Sequence, residues 1–174
     1  MDENMTKTIE VQLNAKAVTE IKKGYPLILK DGVLNPQVFE QEGSIIKLVD
    51  RNWQFVAKGY YGIQNKGIGW VLTRKADEEI DFDFFKSKIV TALNRRDTLF
   101  NDPSTTAFRV FNGEGDGIGG LTIDYYDGYY MVSWYSEGIY SLKHHIYNVL
   151  EKLVDYKAIY EKKRFDTNGQ YMEQ

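Results

Sequence analysis

Residues 112–124 read NGEGDGIGGLTID and carry five glycines between two apolar runs. The glycine spacing satisfies two nucleotide-loop patterns, G-x-G-x-x-G and G-x-G-x-G. Such a loop holds a phosphate because a helix follows it and points free N–H groups at the anion. Here polar and apolar side chains alternate from Leu121 to Tyr126, which is the period of a strand. Three carboxylates, Glu114, Asp116 and Asp124, would also repel a phosphate. We therefore predict a glycine-rich connection between strands and no cofactor-binding loop.

Composition restricts the chemistry further. The chain has 174 residues, 43% of them hydrophobic, which is enough for a packed core. It has no cysteine, and this excludes disulfides, thiolate metal sites and a thiol nucleophile. Its two histidines, His144 and His145, are adjacent on a predicted helix and point in different directions, so we predict no metal site.

No apolar run approaches the ~20 residues that a membrane-spanning helix needs. The polar start MDENMTKTIE is unlike a signal peptide. We therefore expect a cytoplasmic protein without a membrane partner.

Charge is distributed unevenly along the chain. Residues 1–76 have a balance of +3 and residues 77–174 a balance of −6. The acidic segment ADEEID, residues 76–81, marks the change and reads as a linker. We predict one domain over residues 1–76 and a second over 77–174. A basic module joined to an acidic one fits a nucleic-acid-binding protein, and ordinary solvated faces would explain the same charges.

The first half predicts a small β barrel with one helix. A helix over 15–23 should end at Gly24, whose lack of a side chain suits a helix stop. Short apolar runs separated by turn residues predict the strands, as in compact barrels. These strands are expected at 9–13, 27–29, 44–49, 53–61 and 68–73.

The second half predicts an α+β layer with a mixed or antiparallel sheet and covering helices. Asp81 should cap a helix over 82–100, and apolar residues at helical spacing predict another helix over 139–154. Strands are expected at 107–111, 121–126, 129–135 and 157–160. The tail, 161–174, shows no helix or strand period and no stop signal, so we expect a fragment of a longer protein.

Residues 109–138, RVFNGEGDGIGGLTIDYYDGYYMVSWYSEG, resemble a segment of the S-adenosylmethionine-dependent methyltransferases that modify cytosine C5 in large-subunit ribosomal RNA. Members of that family read R-[LV]-[VF]-N-x-E-G-D-G-[LI]-x-G-L-x-[VI]-D there. The positions that fit are Arg109, Asn112, Glu114, Gly115, Asp116, Gly117, Gly120, Leu121 and Asp124.

The first half resembles a PUA domain, a small RNA-binding β barrel. The matching segments are KKGYPLI, GSIIKLVD, AKGYYG and IGWVLTRK, and Leu27 stands where the PUA family usually has an aromatic residue. The likeness implies an RNA-binding part that precedes a missing C-terminal methyltransferase domain. It also implies ribosomal RNA as partner and a possible homodimer.

The family resemblance implies chemistry that this chain does not carry by itself. Such enzymes add a cysteine thiolate to cytosine C6, which makes C5 nucleophilic toward the methyl group of S-adenosylmethionine. The chain has no cysteine and no strand, glycine loop and helix series for the methyl donor. We therefore expect the longer parent protein to be the enzyme, and this chain to recognise RNA without catalytic or cofactor-binding residues.

Candidate RNA contacts are cationic and aromatic side chains. Tyr60, Tyr61 or Trp70 could stack on a base, although Trp70 and one of the tyrosines could instead fill the barrel. Arg95 and Arg96 lie late in a predicted helix, where they would favour its negative dipole end. By family resemblance an arginine there lies near the RNA-facing cleft. The cations expected to meet phosphates in the first half are Lys22, Lys23, Arg51, Lys58, Lys66, Arg74 and Lys75.

Two other functions fit the residues. The aromatic-rich segment 125–135 could form a dimer or protein-interaction surface if its tyrosines are exposed. Glu114, Asp116 and Asp124 could together bind a divalent cation, although loop carboxylates more often accept backbone N–H groups.

Overall fold

The computed structural model describes residues 7–165, which form two β-sheets with helices packed on them. The first sheet has five strands and is accompanied by one α-helix. Its elements in chain order are β1 (Thr8–Gln12), α1 (Ala15–Lys22), β2 (Leu27–Leu29), β3 (Ile45–Val49), β4 (Phe55–Gln64) and β5 (Gly67–Thr73).

Helix α1 begins and ends as the sequence predicts. The side chain of Asn14 accepts a hydrogen bond from the Ala17 amide and caps the first turn. Gly24 follows the helix with φ at +111°, a left-handed conformation that glycine adopts without strain. Ile21 is buried and fixes the helix on the sheet.

The first sheet has the order β1-β3-β4-β5-β2. β1 and β3 are parallel, and the other neighbours are antiparallel. The chain beyond β1 pairs with the chain beyond β2: Leu13 bridges Val33, and the Asn14 amide donates to the Gly32 carbonyl at 2.8 Å. This pairing joins the two ends of the sheet, so the predicted barrel with one helix is confirmed.

The second sheet has the order β6-β7-β8-β9. Its last pair is parallel and the others are antiparallel, so the predicted mixed sheet of an α+β layer is confirmed. The elements are α2 (Phe82–Arg95), α3 (Asp97–Phe100), β6 (Ala107–Asn112), β7 (Leu121–Tyr126), β8 (Tyr129–Trp134), α4 (Glu137–Ser141), α5 (Lys143–Leu153) and β9 (Ala158–Lys163). Helices α2 and α5 pack on each other and on the buried face of this sheet.

Two predicted helices are each divided in two. The helix expected over 82–100 breaks at Arg96, and the one expected over 139–154 breaks at Leu142. Both residues have ψ near zero, outside the α-helical range, so the regular helix is interrupted at each of them. Apolar spacing did not reveal the breaks because the segments on each side still face one core. The predicted cap at Asp81 is confirmed, since its carboxylate accepts from the Phe84 amide.

The last strand is longer than predicted. β9 continues to Lys163, so the expectation that residues 161–163 lack strand structure is wrong. Lys162 and Lys163 look polar and irregular in sequence, yet they pair in register with Ser133 and Trp134 of β8. The rest of the predicted tail, from residue 166 onward, lies outside the described residues.

The two sheets share a hydrophobic core. Ile45, Tyr60 and Leu72 of the first sheet are buried in the same cluster as Phe85 and Trp134 of the second half. A second cluster lies within the barrel and around α1. The domain boundary at residues 76–77 stays a prediction. Among residues 7–165, no helix is long and apolar enough to span a bilayer.

Candidate nucleic-acid interface

The glycine-rich stretch connects β6 to β7 through a short 3-10 turn, Gly113–Asp116. Gly117 ends that turn with φ at +100°, and Gly120 enters β7 with φ at +84°. A strand therefore follows the glycines, as predicted. The positive φ values explain why glycine occupies these two positions.

One side of this stretch forms the joint between the two sheets, which we define by Tyr60, Trp70, Gly119 and Gly120. The Tyr60 hydroxyl donates to the Gly119 carbonyl at 2.6 Å. A Cβ atom on Gly119 would lie 2.0 Å from the Trp70 ring, and one on Gly120 would lie 2.5 Å from the Tyr60 hydroxyl. Only glycine allows this approach, so the joint is tightly packed.

Tyr60 is fully buried, so the prediction that it stacks on a base is wrong. Burial raises the pKa of its hydroxyl far above the ordinary value. The ring fills the core that the two sheets share and does not fill the barrel. Sequence alone did not reveal this because the Tyr60 side chain is covered by residues distant in the chain. Tyr61 is half-buried against Phe39, with ring centroids 4.7 Å apart.

Helix α4 strengthens the contact between the sheets. A Cβ atom on Gly138 would lie 2.2 Å from the Tyr61 carbonyl oxygen, and one on Gly43 would lie 1.9 Å from the Ser141 hydroxyl. Gly62 similarly faces Ser136. Close backbone approach at three glycines holds the two halves in one relative orientation.

Arg95 and Arg96 converge on Asp116 in the 3-10 turn. Arg96 binds both carboxylate oxygens, at 3.0 and 2.8 Å, and Arg95 binds one of them at 2.9 Å. The backbone N–H of Asn112 donates to the same carboxylate at 2.7 Å. Burial alone would raise the pKa of Asp116, but the hydrogen bonds from Arg96 and Asn112 outweigh burial and lower it.

The two arginines differ in what they leave exposed. The Arg96 side chain is 17% exposed and also donates to the Arg109 carbonyl, so it anchors the turn. The Arg95 side chain is 58% exposed and has donors left for another partner. Their main role is therefore to hold Asp116. Arg95 alone keeps the surface position of a predicted phosphate contact.

A second ion pair lies on the outer face of the second sheet. Arg109 on β6 binds Asp124 on β7 at 2.9 Å, and it donates to the Asn112 side-chain oxygen at 3.3 Å. The hydrogen bond to Asp124 raises the pKa of Arg109. With Asp116 and Asp124 both engaged by arginines, these carboxylates do not converge on a cation. No group of three or more metal-binding side chains occurs within residues 7–165.

The other side of the glycine stretch lines an open cleft of about 310 Å³ between the two sheets. The cleft is bounded by the end of β4, by β5, by the 3-10 turn and by the start of β7. The groups that give it chemical character are Gln64, Trp70, Asn112, Glu114, Thr122 and Tyr135. Sequence reasoning missed Gln64 and Thr122, and it did not bring the other groups together in one site, because the two walls meet only when the halves pack together.

Two further hollows lie elsewhere on the surface. One, of about 240 Å³, lies between α1 and β2 and is mostly apolar. Another, of about 460 Å³, lies between the ends of α2 and α5 and is lined by Tyr125 and Tyr130. Burial raises the pKa of Tyr130 to about 12, so its hydroxyl remains protonated at neutral pH.

The predicted basic residues of the first half do not form one patch. Arg74 donates to the carbonyls of Ile21 and Tyr25, which ties the end of β5 to the end of α1. This contact places Arg74 and Lys75 beside Lys22 and Lys23, all of them exposed.

The remaining predicted cations are divided between the two ends of β4. Lys58 is half-buried and donates to the Glu78 carbonyl at 2.8 Å. Arg51 is exposed in the turn before β4, and Lys66 is exposed in the hairpin after it. Ten residues of strand separate those turns, which is roughly 30 Å. Lys66 therefore lies at the cleft end of β4, whereas Arg51 and Lys58 lie toward its opposite end.

The rings of the adjacent histidines lie side by side, with centroids 4.1 Å apart, so the expectation that His144 and His145 point in different directions is wrong. His145 stacks on Phe85 with ring centroids 4.8 Å apart. Burial, with the neighbouring His144, lowers the pKa of His145 to about 4. It is therefore neutral at pH 7 and belongs to the packing between α2 and α5.

The tyrosines of segment 125–135 are only partly available to a partner. Tyr126 and Tyr129 are 52% and 41% exposed, whereas Tyr130 is 2% exposed. Tyr160 on β9 is 54% exposed and stacks on Tyr129. The condition for such a surface, exposed tyrosines, is therefore met only in part, because alternate residues of a strand face opposite sides of the sheet.

Comparisons with known proteins agree with this architecture. Residues 11–74 match the family model described as a PUA-like domain. A Bacillus subtilis (strain 168) protein, YwbD, is 54% identical over 156 residues and is provisionally named a ribosomal RNA large subunit methyltransferase. The match covers 88% of this chain and 39% of that protein. The ribosomal RNA large subunit methyltransferase I of Alteromonas mediterranea is 29% identical, with 90% and 40% covered.

Solved structures show the same fold. A Streptococcus mutans protein, provisionally described as a SAM-dependent methyltransferase, superposes with a TM-score of 0.80 at 25% identity, over 90% of this chain and 41% of its own. A crystal structure of a provisional methyltransferase in complex with SAH superposes with a TM-score of 0.81 at 25% identity, over 95% and 43%. The chain spans about two fifths of the length of these relatives.

Proposed function

We propose, from this similarity to large-subunit ribosomal RNA methyltransferases, that the chain is the RNA-recognition part of such an enzyme, and that the enzyme methylates cytosine at C5. The observation that carries the proposal is the 54% identity to YwbD over 88% of the chain. A protein that acts on ribosomal RNA works where ribosomes are assembled, in the cytoplasm.

The packing between the sheets supports an RNA-binding role. Exposed cations lie at the α1 end of the PUA-like sheet, and Arg95 and Arg109 lie on the second half. Glycine contacts at the joint fix these groups relative to one another. A fixed arrangement of separated cations suits the shape of a folded RNA, in which phosphates are held at set distances.

Catalysis, in this proposal, belongs to residues beyond this chain. The chain has no cysteine to add to cytosine C6. The glycine stretch leads into β7, so it offers no helix start to a nucleotide. The parent enzyme would supply both the thiolate and the S-adenosylmethionine site, in a further domain. Calorimetry of this chain with S-adenosylmethionine should detect no binding heat, and stoichiometric binding would contradict this part of the proposal.

RNA recognition is tested by measuring affinity for large-subunit ribosomal RNA fragments across a salt series. If about four phosphates are neutralised, the logarithm of the affinity should fall with a slope of roughly −3 to −4 against the logarithm of salt concentration. Replacing both Lys22 and Lys23 with glutamine should reduce the slope by roughly one to two. Glu151→Gln, an exposed change on α5, is the control. A salt-independent affinity, or none, would contradict RNA recognition.

A dimer or protein-interaction surface is the alternative, and it does not exclude RNA binding. It is favoured by three exposed tyrosines, Tyr126, Tyr129 and Tyr160, at one end of the second sheet. Sedimentation equilibrium should show a concentration-dependent mass if these residues form a dimer. The Tyr160→Ser protein should then be monomeric.

A further inference from the structure

We infer that the cleft between the sheets binds one unpaired nucleobase that carries an exocyclic amine: cytosine, adenine or guanine, in preference to uracil. The inference rests on the proposed function, because it takes the ligand to be part of an RNA. It adds a binding site and a base preference that the similarity to methyltransferases does not assign.

Four side chains of the cleft, Gln64, Asn112, Glu114 and Thr122, keep polar groups that are available to a ligand. Within residues 7–165, the Glu114 carboxylate accepts no hydrogen bond. Gln64 uses its oxygen to accept from the Trp70 indole at 3.2 Å, and Asn112 uses its oxygen to accept from Arg109. The amide nitrogens of Gln64 and Asn112 therefore keep their donors. The cleft offers a carboxylate acceptor and two amide donors, the kinds of group that proteins use to read base edges.

Thr122 gives independent support for a ligand. Its side chain is 93% buried at the base of the cleft, since its exposed fraction is 7%. Its hydroxyl has no hydrogen-bond partner. A buried hydroxyl without a partner costs free energy, and binding sites commonly keep such groups.

Size and aromatic content fit a single base. The volume of about 310 Å³ lies at the small end of the range for small-molecule sites, roughly 300 to 1,000 Å³. The cleft is therefore too small for an RNA double helix. Trp70 and Tyr135 line the cleft and are half-buried. Gly119 packs under the Trp70 ring and fixes its orientation. Unpaired bases bind on a pre-positioned aromatic ring such as that of Trp70. The Tyr135 ring already faces the Arg164 guanidinium, whose carbon is 5.7 Å from the ring centroid.

The lining charges disfavour a phosphate inside the cleft, and cations lie beside it, among them Arg164 against the Tyr135 ring. No lysine or arginine is among its lining residues, and Glu114 would repel an anion. Arg109 lies at the rim and donates a hydrogen bond to the Asn112 side chain. Arg95 lies on the far side of the same turn, where it binds the Asp116 carboxylate. A base inside the cleft would therefore have its backbone phosphate outside, near these arginines.

The base preference follows from Glu114. A carboxylate accepts hydrogen bonds, so it binds the amine of cytosine, adenine or guanine. Uracil presents a carbonyl oxygen at the position where cytosine has its amine, and that oxygen would face the carboxylate. The amide donors of Gln64 and Asn112 can meet ring nitrogens or carbonyls of any base.

The test is a titration of the 174-residue chain with CMP and with UMP, read from the indole N–H signals in NMR spectra. The chain has three tryptophans, and Trp70→Phe identifies the relevant signal. The Trp70 signal should shift with both nucleotides, and CMP should bind roughly tenfold more tightly. Glu114→Gln should reduce that preference at least threefold, whereas Glu79→Gln, an exposed change in the linker, should not.

A blocking variant provides a second readout. Gly115 has open space around it, since the nearest atom to an added Cβ would be the Asn112 nitrogen at 3.9 Å. Gly115→Leu should therefore fold normally and abolish the Trp70 shift with CMP. An unchanged shift in this variant, or equal affinity of the wild type for CMP and UMP, would overturn the inference.

The two proposals fail in different ways. Salt-dependent RNA binding without any Trp70 shift would leave the proposed function intact and remove the base site. A Trp70 shift with CMP, with no affinity for ribosomal RNA fragments, would keep the base site and remove the proposed function.

Discussion

The two sides of the glycine-rich stretch differ in how their polar groups are used. At the joint, the Tyr60 hydroxyl meets the Gly119 carbonyl and the Trp70 ring lies directly on Gly119. In the cleft, a few residues away, the Glu114 carboxylate and the Thr122 hydroxyl have no partners within residues 7–165. Satisfied groups stabilise a fold, and unsatisfied groups are available to a ligand. One segment therefore both fixes the two sheets and presents a binding surface.

The strongest challenge to this comparison is Asp116→Ala, because Asp116 holds the turn that separates the joint from the cleft. Removing the buried carboxylate leaves Arg96, which is mostly buried, without its partner. We expect a loss of about 3 kcal/mol in the free energy of unfolding. Urea denaturation measures it, with Asp124→Ala as a more exposed control that should cost about 1 kcal/mol. A loss below 1 kcal/mol for Asp116→Ala would show that the turn is held by other contacts.

Gly119→Ala tests the joint alone. The added methyl group would lie 2.0 Å from the Trp70 ring, so the two sheets must shift apart. We expect destabilisation of about 2 kcal/mol from overpacking. Gly115→Ala, on the cleft side, should change stability by less than about 1 kcal/mol, since open space surrounds it. Similar losses for the two variants in thermal denaturation would remove the distinction between the two sides.

The packing between α2 and α5, away from both the joint and the cleft, should be sensitive to acid pH through His145. The pKa of His145 falls from 6.5 to about 4 in the folded chain, first because of burial and then because of His144. The unfolded chain therefore binds the proton more readily between these pH values. Stability should be complete above pH 6.5 and should fall as the pH is lowered toward 4, by about 1 to 2 kcal/mol after allowing for solvent screening.

Unfolding curves of the wild type and His145→Gln across this pH range check the assignment. The variant should lose the part of the pH dependence that His145 causes. An unchanged profile would place the titrating group elsewhere.

The smallest effects come from a matched pair of hydroxyl deletions. Tyr60→Phe removes a satisfied hydrogen bond and leaves the Gly119 carbonyl unpaired, which should cost about 1 kcal/mol. Thr122→Val removes a hydroxyl that has no partner and keeps the side-chain shape, so stability should stay level or rise by up to about 1 kcal/mol. Equal losses in calorimetry would show that the Thr122 hydroxyl has a partner in solution.

Sequence alone predicted local features and missed those that depend on packing between distant residues. The strand after the glycines, the cap at Asp81 and the stop at Gly24 follow from residue spacing and backbone preference. The burial of Tyr60 and the cleft beside Trp70 arise when β4 and β5 meet the connection before β7. No periodic pattern encodes that contact, because its two sides are separated by the whole of α2 and β6.

Candidate site residues show the same division. Lysines at the end of α1 are exposed as a charge pattern would indicate, and they stay predicted phosphate contacts. Arg74 and Arg96 look equally basic in sequence, yet both donate to backbone carbonyls of the chain itself. Charge predicts where a cation lies along the chain, and tertiary contacts decide how many of its donors are left for RNA.

The most direct test of this account measures the affinity of a labelled large-subunit ribosomal RNA fragment for two variants, below the unfolding temperature of both. Gly115→Leu fills the cleft and should weaken binding roughly tenfold, as expected when one stacked base is lost. Tyr60→Phe acts on the joint and should leave the affinity unchanged while lowering stability. Unchanged affinity for Gly115→Leu, or weaker binding for Tyr60→Phe alone, would contradict the division of the glycine stretch into a structural side and a binding side.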